Sequence, residues 1–398
     1  MANEKRDYRP KYLKKQKKAG KGDMLQGVAI LVTAVVCVVL SVTMMGTVAQ
    51  GAASAAGSGA STARDLALMD RFDMKMTNSV AQALDGVVAI ERVYWLSDDD
   101  LIAPEPNPQC AGQTNDPTSL GWLLEKAEKT LGVTDTLFST DVELMAGTEV
   151  HYYLDQTIMV ISWKEEIHGA AYTFSEVKIA HPSQFRRFLA DGTYGSAKQY
   201  LTTEMAATVN AVTASSGDFY KFRSNGVMVY NGTVYRNDST VDTCYITEEG
   251  NMIFSRAGEI STKAQAEEFV AENNVRFSLA FGPILVENGQ ICTMDVNKRY
   301  PIGEGTTRYS RAGLGQLGEL HYLMVAANLI PNAEKGTPTM AMFAEQMHSF
   351  GCQSAYALDG GQTAAIVTND KLINRPDWGY QRLISDIIYF ATAMPEED

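Results

Sequence analysis

The sequence is poor in the residues that usually build metal and nucleophilic sites. It has five cysteines and five histidines among 398 residues, and no two cysteines form a CxxC pair or lie near suitably spaced histidines. Zinc sites are built from such clusters, so the sequence argues against a zinc centre. It also lacks a GxSxG turn and a recognisable Ser-His-Asp spacing. We therefore predict no metal and no cofactor.

The few cysteines leave the redox state open. Cys37 lies in an uninterrupted apolar segment, and Cys110, Cys244, Cys292 and Cys352 follow it. Four cysteines allow three disulfide pairings, and their spacing does not choose among them. An equally supported alternative to disulfides is that these four cysteines are free, buried thiols.

Positive charge is scarce outside the first 23 residues. The whole chain has a net charge of −13, yet residues 1–23 hold nine Lys or Arg and only three Asp or Glu. The remainder is therefore strongly acidic and would repel a phosphate backbone, which excludes a nucleic-acid partner. The basic tail alone is suited to anionic lipid.

The segment Leu25–Ala49 has no charged side chain. A helix needs about 20 apolar residues to cross the hydrocarbon layer, so residues 24–49 are predicted to span the membrane once. The preceding basic residues predict a cytoplasmic N-terminus and an extracellular C-terminal domain at the cell membrane. A cleaved signal peptide is an alternative, because small residues follow the apolar run.

Composition divides the remaining chain into three parts. Residues 50–61 form a linker of small residues. Residues 62–145 read as a helical juxtamembrane region, packed on the body or forming a short coiled coil, with no recognisable chemistry. From residue 150 to 392 short strands, hairpins and helices are mixed, which predicts an α+β domain rather than a regular βαβ succession.

Several local signals predict individual elements of that domain. Asn-Gly pairs predict hairpins over 226–236 and 284–292. Capping patterns predict helices that begin after Asp116, Thr262 and Thr337, and two further helices are expected near 182–190 and 198–211. The predicted strands cover 157–163, 171–179, 321–330, 354–358, 371–374 and 384–390.

The stretch YALDGGQTAAIV, at 356–367, places Asp359, Gly360 and Gly361 between two apolar runs. A charge at the end of a buried strand usually faces a cleft, because an unpaired buried charge is costly. The glycines permit a positive φ and leave room for a ligand, and N–H groups of such a turn can bind an anion. A plain turn between two strands is the alternative.

Four charged positions recur in a fixed order along the domain. Asp218 lies in SGDFY, Arg311 in RAGLG, Asp359 in ALDGGQT and Arg382 in QRLIS. This succession resembles the phosphodiester glycosidase family (N-acetylglucosamine-1-phosphodiester alpha-N-acetylglucosaminidase-like proteins), whose bacterial members are often labelled exopolysaccharide biosynthesis proteins. The resemblance extends over about residues 150–392.

The resemblance implies a set of site residues. Asp359, Asp218, Arg311 and Arg382 are the expected catalytic residues, with Arg311 and Arg382 on the departing phosphate and the two carboxylates near the sugar. The expected substrate-binding residues are Gly360, Gly361, Thr363 and Asn374. Where the family has Asp-Gly-Gly-Gly-Ser-Ser, this chain continues from Gly361 to Gln362, Thr363 and Ala364.

Three functions are compatible with these features. The first is a membrane-anchored extracellular hydrolase that cleaves glycosyl-1-phosphodiesters in cell-surface or exopolysaccharide glycans. The second is a binding module of the same fold that holds a sugar phosphate without cleaving it, as the altered residues after Gly361 would permit. The third is a scaffold assembled through its juxtamembrane helix. The sequence names neither the sugar and its aglycone, nor the stereochemical outcome, nor the oligomeric state.

Overall fold

The fold is α+β, as the sequence predicts, with antiparallel sheets and few helices. The computed structural model describes residues 95–97, 101–293, 299–300, 303–331 and 336–395. Its first eleven strands are β1 (Ala111–Thr114), β2 (Val150–Leu154), β3 (Ile158–Ile167), β4 (Ala170–Ile179), β5 (Phe185–Leu189), β6 (Thr213–Ser216), β7 (Val227–Tyr230), β8 (Thr233–Asn237), β9 (Thr243–Thr247), β10 (Met252–Ser255) and β11 (Val275–Leu279). The other ten are β12 (Ile284–Glu287), β13 (Gln290–Ile291), β14 (Arg299–Tyr300), β15 (Gly303–Glu304), β16 (Arg311–Gly318), β17 (His321–Leu329), β18 (Ser354–Leu358), β19 (Ile366–Thr368), β20 (Lys371–Leu372) and β21 (Asp386–Phe390).

Two sheets dominate the described residues. The larger has nine strands in the order β1-β2-β3-β4-β17-β16-β18-β12-β13, and the second has five in the order β20-β19-β6-β21-β5. Every neighbouring pair in both sheets is antiparallel. Neighbours such as β4 and β17 are far apart in the sequence, so the two sheets bring distant segments together.

Three smaller sheets complete the strand architecture. They consist of β10-β9-β11, β7-β8 and β14-β15. The turn between β7 and β8 has positive φ at Asn231 and Gly232, and the turn between β12 and β13 has positive φ at Asn288 and Gly289. Positive φ at both central residues is the geometry that Asn-Gly favours, so both predicted hairpins are confirmed.

Four α-helices lie in the described residues: α1 (Gly121–Leu131), α2 (Thr202–Thr208), α3 (Lys263–Glu272) and α4 (Met340–Ser349). The predicted start of the first helix at Pro117 is a 3-10 turn capped by Asp116, and α1 continues it and ends at Gly132, with φ +64°. Thr262 and Gln265 form the predicted capping box of α3. The hydroxyl group of Thr339, rather than that of Thr337, caps α4.

The hydrophobic core has layers on both sides of the nine-stranded sheet. One face packs against α1 and α4, for example Phe174 against Phe350 at the end of α4. The opposite face packs against the five-stranded sheet and the β10-β9-β11 sheet, and α2 covers the outer face of the five-stranded sheet. The order helix, sheet, sheet, helix leaves the ends of the strands and their connections free to form a site.

The predicted helix over 182–190 is wrong. Pro182–Gln184 is a single 3-10 turn, and the chain then enters strand β5. The segment forms a strand because Arg186 and Arg187 bind side chains from distant parts of the chain, and these contacts bury both arginines. The last predicted strand likewise begins at Asp386, two residues later than expected.

Several predictions concern residues that the structure does not describe. The structure does not describe the basic tail, the membrane-spanning segment over 24–49 with its Cys37, the linker over 50–61, or the first part of the helical region predicted over 62–145. Among the helices that are described, none is both long enough and apolar enough to cross a membrane. The other four cysteines form no disulfide in the described part of the chain, and Cys244 and Cys352 are buried.

Candidate active site

A shallow hollow lies where β6, β18 and β21 meet the loops that adjoin them, with about 240 Å³ of empty space that includes its opening to solvent. Its lining includes Asp218 and Asp359, which are 141 positions apart in the sequence, and the aromatic rings of Phe219 and Phe222. The structure thus brings two of the four predicted catalytic residues to one cavity, and Thr363 lines it as well.

Asp359 follows the last residue of β18 and is only partly exposed. Burial raises the pKa of its carboxyl group to about 6, while Thr363, Arg382 and Arg223 work in the opposite direction and Asp218 adds to the rise. No salt bridge joins this carboxylate to another described side chain. It is therefore a carboxylate with a free face toward the hollow, poised between its two protonation states.

The two glycines after Asp359 are required by close contacts. A Cβ atom on Gly360 would lie 2.2 Å from the Ser310 carbonyl oxygen, and Gly361 has φ +67° beside the ring of Tyr309. The Gly361 N–H donates to the Ser310 carbonyl, and the Thr363 hydroxyl donates to the Gly360 carbonyl at 2.7 Å. Both groups hold the turn itself, so neither is open to an anion in this structure.

Asp218 belongs to a buried network that the sequence did not reveal. Its Oδ1 atom accepts hydrogen bonds from Arg187 Nη2 at 2.7 Å and from the Tyr220 N–H at 2.9 Å, and its Oδ2 atom accepts from the Ala280 N–H at 2.6 Å. Arg187 also binds Asp386 Oδ2 through Nε and Nη2, at 3.1 and 2.8 Å. Asp218 therefore positions the wall of the hollow, and its catalytic role stays a prediction.

Two carboxylates share the single Arg187 guanidinium group, with all three side chains closed to solvent. The pKa of Asp386 is raised by burial and by Asp218, against the opposing effect of Arg187. Its Oδ1 atom, and the neighbouring hydroxyls of Ser216 and Ser385, are buried with no hydrogen-bond partner. The floor of the hollow thus holds polar groups that the protein alone does not satisfy.

Arg311 is the first residue of β16 and directly precedes Ala312, which pairs with Leu358 of β18. Its side chain is buried, and its guanidinium group donates to the Thr307 carbonyl at 2.6 Å and the Pro338 carbonyl at 3.5 Å. Burial lowers its pKa to about 10. Arg311 does not line the hollow, and its guanidinium group is bound to backbone carbonyls, so its catalytic role stays a prediction.

Arg382 is exposed and lies against the aromatic wall of the hollow. Its guanidinium carbon is 5.4 Å from the centre of the Phe219 ring and 5.6 Å from that of Phe222, and these two rings are stacked. Arg223 approaches the same Phe219 ring, also at 5.4 Å. Both cations lower the pKa of Asp359, so the structure brings Arg382 to the site and adds Arg223, which the sequence analysis did not single out.

Asn374 is buried within the loop that supports the glycine turn. Its Nδ2 atom donates to the Ala364 carbonyl and to Asn328 Oδ1, and its Oδ1 atom accepts from the Ile366 N–H at 2.9 Å. These bonds fix the segment after Thr363 and leave the amide no free direction toward a ligand. Direct substrate binding by Asn374 stays a prediction.

Sequence reasoning missed Arg187, Asp386, Arg223 and Tyr309. Arg223 alone had a local signal, because the string FYKFR places two aromatic residues three positions apart directly before an arginine. Across the described ranges, no group of three or more His, Cys, Asp or Glu side chains is placed to hold a metal ion. The chemistry available at the hollow is that of the Asp359 carboxylate, with Asp218 already hydrogen-bonded and two guanidinium groups against the aromatic wall.

Comparisons with known proteins agree with the motif order. Residues 207–391 match the family model described as phosphodiester glycosidase. A solved catalytic domain of zebrafish N-acetylglucosamine-1-phosphodiester alpha-N-acetylglucosaminidase, auto-inhibited by its pro-peptide, is 16% identical, with a TM-score of 0.48 over 60% of this chain and 84% of that one. A hypothetical protein from Synechocystis is 13% identical, with a TM-score of 0.47 over 63% of this chain and 64% of that one. The curated proteins contain no match to the sequence.

The matched segment includes Asp218, Arg311, Asp359 and Arg382. It also covers β21 and nearly all of the loops that line the hollow. The family description indicates a hydrolase that acts on sugars joined through a phosphodiester. Over residues 207–391, just under half of its length, this chain is therefore similar to the phosphodiester glycosidase family.

Proposed function

We propose that this protein hydrolyses glycosyl-1-phosphodiesters, releasing a free sugar and a phosphomonoester. The observation that carries the proposal is Asp359, a partly buried carboxylate with no salt bridge to another described side chain, raised in pKa and facing a hollow bordered by Arg382. Similarity to the phosphodiester glycosidase family over residues 207–391 supports the same reaction class.

The reaction places opposite charges on two adjacent groups. The bond between the anomeric carbon and the phosphate oxygen breaks, and the phosphate group leaves with the electron pair as an anion. Positive charge develops on the sugar, a water oxygen bonds to the anomeric carbon, and the water gives up a proton. The sugar thus needs a nearby carboxylate, and the departing phosphate needs cations.

Asp359 is the carboxylate that fits the sugar. Both oxygen atoms of Asp218 already accept hydrogen bonds, and Asp386 is bound to Arg187. The glycine turn holds Asp359 next to the hollow. Because the pKa of its carboxyl group is about 6, the ionised and neutral forms are close in free energy near that pH. It is the side chain that we assign to stabilising the sugar cation or activating water.

The direct test is turnover. The full-length protein would be incubated with a glycosyl phosphodiester such as UDP-N-acetylglucosamine, and the free sugar and the phosphate-containing product would be quantified together. We expect Asp359→Asn to lower kcat at least a hundredfold, while Asp135→Asn, which changes an exposed carboxylate, leaves it unchanged. Absence of turnover on a panel of glycosyl phosphodiesters would contradict the proposal.

A non-catalytic sugar-phosphate-binding module is the second candidate. The observation that favours it is the Thr363 hydroxyl, which is engaged by the Gly360 carbonyl where the family usually has serine. Binding of a glycosyl phosphodiester, measured by calorimetry, without any release of sugar would support this function over hydrolysis.

We further propose that the protein is anchored by Leu25–Ala49, with residues 1–23 in the cytoplasm and the glycosidase domain outside, acting on cell-surface or exopolysaccharide glycans. The apolar run and the basic residues before it support this arrangement. Protease added to intact cells should remove an epitope tag fused to the C-terminus and spare one at the N-terminus. Protection of both tags would contradict the anchored arrangement.

A further inference from the structure

Two arginines converge on one aromatic ring at the mouth of the hollow. The guanidinium carbons of Arg223 and Arg382 each lie 5.4 Å from the centre of the Phe219 ring. Phe222 stacks on Phe219 with ring centres 4.5 Å apart, and Phe281 lies 5.9 Å from Arg223. The rings restrict where the two flexible side chains can go, so both positive charges are held beside Phe219, which lines the hollow, before any ligand arrives.

Partial burial lowers the hydration of the Arg223 guanidinium group, as its lowered pKa reflects. Arg382 is exposed and forms no ion pair with any carboxylate of the described residues. Its guanidinium group is therefore open to an anion.

The site also has the polarity that a phosphodiester substrate requires. Asp359 and the hydroxyls of Ser216 and Ser385 line the hollow, while Arg382 lies on its aromatic wall. A phosphate bound at the aromatic wall would therefore share the hollow with the carboxylate, which the sugar of the same substrate would approach. A guanidinium group keeps its charge and binds phosphate through two parallel hydrogen bonds.

We propose that Arg223 and Arg382, held against Phe219, form the phosphate-binding clamp of this protein, and that Arg223 is a substrate-binding residue. The inference rests on the proposed function, because it assigns the phosphate of that substrate. Hydrolysis converts a phosphodiester of one negative charge into a phosphomonoester of nearly two, so the clamp binds the product more tightly than the substrate. Arg311 is not part of the clamp, because its guanidinium group is bound to the backbone carbonyls of Thr307 and Pro338 and does not line the hollow.

The test measures binding of inorganic phosphate to the full-length protein by calorimetry at fixed ionic strength. We expect Arg223→Gln and Arg382→Gln each to weaken phosphate binding about tenfold or more, and the double variant to abolish it. Arg375→Gln is the matched control, because Arg375 is an exposed arginine that packs over Gly379 and has no resolved effect on Asp359. It should change the phosphate affinity less than twofold. Near-ultraviolet circular dichroism verifies that each variant is folded.

Two results would overturn the clamp: wild-type protein that binds no phosphate, or an Arg223→Gln effect no larger than that of Arg375→Gln. The experiment also separates this inference from the proposed hydrolysis. Arginine-dependent phosphate binding without turnover of any glycosyl phosphodiester would leave the clamp standing and refute the hydrolase. Turnover of a glycosyl phosphodiester, together with a phosphate affinity that Arg223→Gln does not change, would refute only the clamp.

Discussion

Arg187 Nη2 lies 2.7 Å from Asp218 Oδ1, with both side chains closed to solvent. Arg187→Met would leave the carboxylates of Asp218 and Asp386 buried without their cation. We expect it to lower the free energy of unfolding by about 3–5 kcal/mol, measured by urea denaturation.

Arg256 provides the comparison for that experiment. Its ion pair with Glu287 is exposed, so Arg256→Met should cost less than about 1 kcal/mol. Equal losses for the two variants would show that the buried network has no special role in stability.

Gly217→Ala tests how closely the loop after β6 must approach Asp386. A Cβ atom at Gly217 would lie 1.9 Å from Asp386 Oδ2, in the position that now accepts bonds from Arg187. We expect a loss of stability of about 2 kcal/mol or more, together with loss of activity, in thermal and kinetic assays. Gly121→Ala, at the start of α1 with no atom within 4 Å of the new Cβ, should be neutral or slightly stabilising. A Gly217→Ala variant with unchanged stability and activity would contradict the close packing of Gly217 against Asp386.

The activity should depend on the ionisation of Asp359. Burial raises the pKa of this carboxyl group to about 6, and the proposed reaction needs it charged. We therefore expect kcat/KM to fall about tenfold per pH unit below pH 6 and to be level just above it. Stopped assays in buffers of constant ionic strength measure the profile. A rate that rises as the pH falls through 6 would indicate a proton-donating carboxyl group instead.

Asp359→Asn should make the protein more stable near neutral pH. The folded pKa lies above the ordinary value of 3.8, so the fold binds this proton more tightly than the unfolded chain does. The stabilisation that the proton provides is complete below about pH 4 and is lost as the pH rises through 6. The variant should thus gain about 2–3 kcal/mol over wild type at pH 7.5 and much less at pH 4.5, as followed by denaturation at both pH values. A variant that is less stable than wild type at pH 7.5 would contradict the desolvation of Asp359.

Local signals in the sequence predicted local structure well. The Asn-Gly pairs at 231–232 and 288–289 form the expected hairpin turns because few residues besides Asn and Gly adopt a positive φ at low cost. The capping box of α3 and the glycine end of α1 are likewise short-range interactions. The motif order was sufficient to indicate the family whose model matches residues 207–391 and to mark Asp359 and Arg382, which the structure places beside one hollow.

The buried network could not be predicted in the same way. Arg187 is 31 positions from Asp218 and 199 from Asp386, and the string FRRFL contains nothing that distinguishes a buried arginine from a surface one. The segment was expected to be helical because its strand character comes from pairing with β21. Arg223 was missed for a similar reason, since its significance depends on Arg382 reaching the same ring.

The strand β21 lies inside the five-stranded sheet, between β6 and β5, although it is the last described strand in the chain. During synthesis on the ribosome, β5 and β6 therefore emerge long before the strand that joins them. Asp386, on that late strand, completes the contacts of Arg187 and of the Asp218 N–H. Until its C-terminal segment arrives, a nascent polypeptide must keep the unpaired edges of β5 and β6 from pairing with other chains. Only after β21 joins them is the proposed ligand site complete.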